Sequence, residues 1–372
     1  MTTILEGQLV LEEIPVEGYH KVVRARDPKS GLDAIIAIHD LRLGKAALGG
    51  TRIHKYSTFE EHLEDALRLS KGMTYKSAAV QSGFGGGKAV INADPRKDKT
   101  EALLAAFGEA VNRLGGEYIC AEDVGCLPQD LATVVEHTPY AVGLLSEKSS
   151  GNPSPYTAWG VFRGIQAVMH QLFGDDSVQG RTIAIQGLGS VGARLAEFLY
   201  WHGAKLIITD FHMDRAEGLA KQFSAKLVEP DAIYEEPCDV FAPCAMGAII
   251  NSTTIERLRC RAIAGSANNQ LLSDLDAEEL RRLGFLYAPD FVINAGGLIN
   301  VTEETMKNGY CPFASRNKID QIYDQLRLIF GVASQNGIST LKAAMQLIEY
   351  RLEHGIGRRV EPIYMHHAGI TY

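Results

Sequence analysis

Thr182-Ile183-Ala184-Ile185-Gln186-Gly187-Leu188-Gly189-Ser190-Val191-Gly192 is the stretch from which the fold is read. A short β-branched apolar run passes directly into G-x-G-x-x-G, and Val191, Leu195, Ala196 and Leu199 then recur at helical spacing. In a strand–turn–helix context the first glycine permits the tight turn, the second lets backbone approach a pyrophosphate, and the third lets the helix pack against the sheet. The pyrophosphate then rests on the positive helix N-terminus. Gly187, Leu188, Gly189, Ser190, Val191 and Gly192 are therefore the expected dinucleotide contacts. A second strand, Leu206 to Thr209, ends at Asp210, about 20 residues beyond the glycines, where a carboxylate accepts hydrogen bonds from ribose hydroxyls and repels a 2′-phosphate. This reads as NAD rather than NADP.

Downstream, the apolar runs Val240 to Ala242, Ala262 to Gly265 and Phe285 to Ala288 alternate with helical stretches, the rhythm of βαβ units and a parallel sheet. Two late helices are expected, from Ile319 to Ala333 and from Leu341 to Leu352, each closed by a glycine. Upstream, Ser149-Ser150-Gly151-Asn152-Pro153-Ser154-Pro155 interrupts regular structure, and a helix from about Thr157 to Phe173 follows it. Before that break, helical spacing from Phe59 to Ala79 leads to Lys76. Gln81 to Gly87 reads as a glycine loop, with Lys88 at its junction with the strand Ala89 to Ile91. A helix over Glu101 to Leu114 precedes a strand, Tyr118 to Ala121, that delivers Glu122 and Asp123 to its carboxyl end. Open α/β sheets place their chemistry at such ends.

Composition excludes several classes. The 372 residues allow two or three domains at about 150 residues each. With 46% hydrophobic and 22% charged residues, the chain is an ordinary globular one. Its 37 basic and 45 acidic side chains, net −8, argue against a nucleic-acid binder. No apolar run approaches the ~18 residues of a membrane span. The start carries no secretion signal, so a cytoplasmic location is expected. Six cysteines without C-x-x-C spacing read as buried thiols, and 11 histidines without H-E-x-x-H spacing give no metal site. His366 and His367 read as a solvated tail.

Lys88 after three glycines invites a P-loop reading, but Ser82 and Ala89 stand where that motif needs glycine and a hydroxyl residue. What remains is a lysine beside a thin backbone, twelve residues after Lys76. Solvated surface is the ordinary fate of a lysine. Two ammonium groups sharing one pocket would instead split roles, one as a base and the other as a cation for a carboxylate, with Glu122 and Asp123 available to move protons.

The runs Gly49-Gly50-Thr51-Arg52, Lys71-Gly72-Met73-Thr74-Tyr75-Lys76, Gly85-Gly86-Gly87-Lys88 and Ala121-Glu122-Asp123-Val124-Gly125 resemble the leucine, phenylalanine and valine dehydrogenases of the glutamate dehydrogenase superfamily. So do Gly151 to Pro155, Ala242-Pro243-Cys244-Ala245, Ala267-Asn268-Asn269-Gln270 and Asn294-Ala295-Gly296-Gly297. The resemblance implies NAD-dependent oxidative deamination of an amino acid to its 2-oxo acid. It assigns Lys88 as the base that activates water and Asp123 as the proton carrier. Lys76 would hold the α-carboxylate, aided by the backbone of Gly49 and Gly50 and by an amide from Asn268 or Asn269. Thr157 and Asn294 would hold the nicotinamide amide. Leu48, Ala121, Leu298 and Val301 would surround an apolar substrate side chain. Ala121 and the Leu48-Gly49-Gly50 wording point to a leucine-type enzyme acting on branched-chain amino acids, whereas Leu298 is more like the aromatic-specific members. An NAD-binding sensor without chemistry is the reading from another class.

The implied architecture is α/β in two domains. Residues 1–142 form an α/β substrate domain, 143–334 a Rossmann-type, doubly wound NAD domain, and 335–372 a helical segment returning to the first. The resemblance also implies a homo-oligomer and a cleft at which substrate meets nicotinamide, with no nucleic-acid or membrane partner.

Overall fold

A computed structural model describes residues 9–145 and 149–372. The chain divides into two compact units, the first taking in 1–152, 301–312 and 351–372, the second 153–300 and 313–350. The first unit holds β1 (Val10–Glu13), β2 (Lys21–Asp27), β3 (Leu32–Asp40), β4 (Ala47–His54), α1 (Phe59–Ala79), β5 (Gly85–Asn92), α2 (Glu101–Arg113), β6 (Tyr118–Glu122) and α3 (Pro128–Val135). Its sheet runs β1-β2-β3-β5-β4-β6. The pairs from β1 to β5 are antiparallel, while β4 pairs parallel with both β5 and β6.

Strand alternation explains how this sheet is covered. Ile35, Ala37 and Val90 pack with Ala66, Leu63 and Leu67 of α1. Their neighbours Ala34, Ile36, Ile38, Ala89 and Ile91 point the other way, into Leu103, Phe107 and Ala110 of α2 and Leu131 and Val134 of α3. Thr58 caps α1, its hydroxyl accepting the Glu61 N–H at 3.1 Å, and Glu60 and Glu61 complement the helix dipole.

The second unit holds α4 (Ser154–Phe173), β7 (Thr182–Gln186), α5 (Ser190–Trp201), β8 (Lys205–Thr209), α6 (Met213–Phe223), β9 (Lys226–Leu227), β10 (Val240–Pro243), α7 (Ser252–Ile255), β11 (Ala262–Ile263), α8 (Asp274–Arg282), β12 (Leu286–Tyr287), α9 (Asp290–Ile293), α10 (Gly296–Thr302), α11 (Pro312–Asn336) and α12 (Thr340–His354), the last three reaching past its edges. All strands of its sheet are parallel, in the order β12-β11-β10-β7-β8-β9. Counted from β7 this is the doubly wound order with its switch point between β7 and β10, where such sheets bind dinucleotides.

Several expectations change. The first unit runs to Asn152 rather than 142, because Gly143, Ser149 and Ser150 all donate to the buried Glu304, itself part of that unit. The return begins at Arg351, not 335. α11 and most of α12 belong to the second unit, where Trp159 donates to Asp320 at 2.8 Å and Thr340 to the Tyr287 carbonyl at 2.6 Å. Gly85 to Gly87 are not loop but the start of β5. His366 is half-buried and its Nε2 lies 2.7 Å from the Met306 carbonyl, beside the closing hairpin of β13 (Tyr364–Met365) and β14 (Ile370–Thr371). Cys120 and Cys126 are buried, but Cys311 is exposed.

Candidate active site

In the first unit the sheet brings Lys88, Gly50 and Asp123 together. β5, β4 and β6 lie side by side, with Thr51 opposite Ala89 and Gly50 opposite Ala121. Lys88 shares the pleat of Val90, so it rises on the face that carries α1. Asp123 follows β6 with the pleat of Ala121. Lys88 must therefore reach across β4, and it does so over Gly50: its ammonium donates to Asp123 Oδ2 at 2.5 Å. A Cβ at Gly50 would stand 3.2 Å from Lys88 Nζ and 2.8 Å from Asp123 Cβ. Glycine here is the window through which the pair forms.

The other glycines serve close packing. At Gly49 a Cβ would lie 1.8 Å from the Gly87 carbonyl, and at Gly86 it would lie 2.0 Å from the Thr74 nitrogen of α1. At Gly87 it would meet the Tyr118 ring at 2.8 Å. Tyr118 in turn donates to the Gly49 carbonyl at 2.8 Å. β5 thus takes glycine because α1, β4 and β6 crowd it, and α1 is held close with Lys76 in its last turn. Lys76 is half-buried. Leu48 and Ala121 are buried on adjacent strands, and Val301 is 8% exposed.

Lys88 is 6% exposed. Burial acts to raise the Asp123 carboxyl, but the Lys88 ammonium and then Arg52 outweigh it and hold the group below the usual carboxylate range. Beside it, burial and the Asp123 charge push Glu122 up. The result is an ammonium–carboxylate pair at 2.5 Å, next to a second carboxyl that burial and the Asp123 charge raise above its ordinary range. Arg52, which sequence reading left inside a quoted run without a role, contacts Asp123 at 3.4 Å and Asp65 at 2.9 Å. Its only sequence signal is its even spacing from Gly50, which puts both on one face of β4.

The second unit presents the glycine turn as expected of its sequence. Gly187 has φ +94°, in the left-handed region. A Cβ at Gly192 would lie 2.0 Å from the Gly187 carbonyl, whereas at Gly189 it would meet open space. Gly189 is also the N-cap of α5 and brings no side chain to its first-turn N–H groups. Ser190 and Val191 open that helix, and Leu188 is buried. Asp210 is 7% exposed and accepts the Leu188 N–H at 2.6 Å and the His212 N–H at 2.8 Å. It therefore braces the glycine turn with about two of its four acceptor directions, and the Arg215 guanidinium lies 3.8 Å from its Oδ2.

Asn294 donates to the Ser266 carbonyl at 3.1 Å and to Asn268 Oδ1 at 2.7 Å, which fixes its amide. Its Oδ1 is buried without a hydrogen-bond partner. Thr157 Oγ1 would stand 2.8 Å from a Cβ on Gly297, so Thr157 and the run from Asn294 to Gly297 adjoin. A buried orphaned acceptor suits a carboxamide NH2, so Asn294 fits a nicotinamide, with the Thr157 hydroxyl near the same run at Gly297. Asn269 sits at φ +50° with its carbonyl on Ala248 N–H, 2.7 Å away. Leu298 is buried in α10. Among the described residues no His, Cys, Asp and Glu cluster could hold a metal, and no helix is long and apolar enough to cross a membrane.

Comparison with known proteins gives a consistent picture. Residues 19–140 match the profile of the Glu/Leu/Phe/Val dehydrogenase dimerisation domain, and residues 208–345 that of glutamate/leucine/phenylalanine/valine dehydrogenase. The chain is 48% identical over 336 residues to the leucine dehydrogenase of Thermoactinomyces intermedius, covering 90% of this chain and 91% of that one. It is 45% identical over 346 residues to the phenylalanine dehydrogenase of Caldalkalibacillus thermarum, covering 91% and 92%. The crystal structure of L-tryptophan dehydrogenase from Nostoc punctiforme superposes with a TM-score of 0.81 at 42% identity, covering 91% and 97%.

Proposed function

The chain belongs to the glutamate/leucine/phenylalanine/valine dehydrogenase family and is an NAD-dependent amino-acid dehydrogenase, and from that premise we propose that its preferred substrates are L-leucine and the other branched-chain amino acids. The reaction is amino acid, NAD⁺ and water to 2-oxo acid, ammonium, NADH and one proton, and it is reversible. NAD, when bound, supplies the acceptor for the hydride that leaves Cα. The pair of Lys88 and Asp123 at 2.5 Å is the observation that carries the reading.

Lys76 holds the α-carboxylate as a cation, and the backbone of Gly49 and Gly50 and the amide of Asn268 or Asn269 orient the amine. Lys88 takes the proton of the water that attacks the imine carbon, and Asp123 passes protons to and from the nitrogen as the carbinolamine forms and breaks. Burial of Lys88 keeps that exchange out of bulk water. Gly187 to Gly192, Asp210, Thr157 and Asn294 hold the cofactor. The four residues given to the substrate side chain, Leu48, Ala121, Leu298 and Val301, are all uncharged and buried, so a glutamate γ-carboxylate beside them would find nothing to repay its desolvation. The protein acts as a homo-oligomer.

The test is initial rates of NADH formation from leucine, valine, isoleucine, phenylalanine and tryptophan, with wild type and with Lys88→Ala. Branched-chain substrates should lead in kcat/KM, and Lys88→Ala should lose at least about a hundredfold in kcat while retaining NADH binding. Turnover by Lys88→Ala at the wild-type rate would remove Lys88 from the role given to it. The second reading, an aromatic amino-acid dehydrogenase, is favoured by Leu298 and by the phenylalanine and tryptophan dehydrogenases among the relatives. One methylene in such a pocket is worth only about 1–3 kcal/mol, so a lead by phenylalanine or tryptophan in the same panel decides for it.

A further inference from the structure

We propose that Arg52 is a positioning residue for this reaction, anchored by Asp65 on α1 and holding Asp123 between itself and Lys88 as the fixed positive charge of the couple. The inference rests on the reading of Lys88 and Asp123 above and adds a residue to it. Gly50 and Arg52 are two apart on β4, so the strand that opens the window for Lys88 also sends a guanidinium to the same carboxylate oxygen. Lys88 Nζ lies 2.5 Å and Arg52 Nε 3.4 Å from Asp123 Oδ2.

Arg52 does not wander to that place. Its Nη1 donates to Asp65 Oδ2 at 2.9 Å. Asp65 is in turn held by the Tyr56 hydroxyl at 2.6 Å and by Arg68 at 2.8 Å. Burial alone acts to lower the Arg52 group, and Asp123 and Asp65 more than offset it. The Nε is buried without a hydrogen bond, at an ion-pair separation of 3.4 Å from Asp123 Oδ2 and with its N–H turned off the line to that oxygen. When the Lys88 ammonium turns from Asp123 toward substrate, the Arg52 charge stays beside the same carboxylate oxygen. Asp123 thus has two resting partners, one of which moves a proton and one of which never does, since a guanidinium stays charged. The other groups within its field are Glu122 beside it, Tyr118 and Cys126 on either side of the turn, and Asp65 behind Arg52. The far side of Arg52 opens on a recess lined by His54, Tyr56, Glu61, Glu64 and Arg68, so a neutral replacement leaves no new buried charge on the solvent side.

A fixed cation beside the Lys88–Asp123 pair disfavours proton uptake by it, and its removal moves the rising limb of the pH–rate profile upward. Arg52→Gln should shift that limb of kcat by on the order of one pH unit with NADH binding, read by fluorescence, unchanged. Arg52→Lys keeps the charge and should keep the limb near its wild-type position at reduced kcat. A folded Arg52→Gln enzyme whose rate falls equally at every pH, or whose profile is unmoved, would overturn the proposal. Should Arg52→Gln fail to fold, Arg52→Met, which keeps the length of the side chain on the strand without its charge, carries the same test with the same sign, and an unmoved limb overturns the proposal. Lys88→Ala run alongside separates the two readings, because an active Lys88→Ala enzyme removes the catalytic couple whatever Arg52 does.

Discussion

Gly50 carries more of the site than any charged residue except Lys88 and Asp123, because what it lacks is what the pair requires. Its Cβ would stand 2.7 Å from the Glu122 carbonyl as well as 3.2 Å from Lys88 Nζ. Gly50→Ala is therefore expected to displace the couple, lowering kcat/KM at least tenfold and stability by about 1–3 kcal/mol, read from steady-state rates and a denaturant midpoint. Glycine, lysine and aspartate were legible in the sequence because their runs are specific. Arg52 was not, since a lone arginine on a strand is ordinarily a solvated side chain, and only the pairing of β5, β4 and β6 shows where it points. Asp210 was legible as the end of β8 but not as the brace of the glycine turn, a contact between loops that no spacing encodes.

Among elements, the parallel sheet of the second unit was the most readable, since strands buried on both faces appear as unbroken apolar runs such as Ile183 to Ile185. The start of β5 was misread as a loop for the opposite reason. Gly85, Gly86 and Gly87 have no strand propensity, and their place in the sheet comes from the close approach of Asp40, Thr74 and Tyr118. The extent of the first unit was hidden because it depends on Glu304, a carboxyl far away in sequence. Glu304 receives the Gly143 N–H at 3.0 Å, the Ser149 hydroxyl at 3.0 Å, the Ser150 N–H at 2.7 Å and the Ser150 hydroxyl. Burial, the largest influence, raises its carboxyl above the usual range despite these donors. A carboxyl raised in the folded state favours folding fully below its unfolded value, and that contribution is lost as pH rises through the raised value. Glu304→Gln cannot titrate. Relative to wild type, its Tm should gain as pH rises from about 4.5 toward neutrality, and parallel Tm curves would contradict the assignment.

At the scale of the whole molecule, neither unit is one continuous piece of chain, and this governs what can be cut away. The fragment 1–152 lacks Glu304, Arg351 and Arg359, which in the intact protein bind the Ser149–Ser150 strap, the carbonyls of Ala78 and Ala79, and the backbone of Leu43. Expressed alone it is expected to lose cooperative thermal unfolding and to aggregate, as followed by circular dichroism and light scattering. A sharp, reversible transition for the fragment would show that its sheet and α1–α3 suffice. The two-domain α/β plan was legible from the break near Pro153. The C-terminal return was expected too, though from 335 and not 351, whereas that of 301–312 was not, because short connecting segments carry no periodicity of their own.

Arg351 closes the carboxyl end of α1, with its guanidinium 2.7 Å from the Ala79 carbonyl and 3.1 Å from that of Ala78, 273 residues away in the chain. On a translating ribosome that distance is a wait. At about 5–20 residues per second, α1 and the strands around it leave the exit tunnel tens of seconds before the arginine that completes them. During that interval the helix end carrying Lys76 has its last carbonyls open to water. Completion of this end of α1 thus waits on the emergence of Arg351, and a nascent chain stalled before it would be a client of the quality-control machinery and not a catalyst.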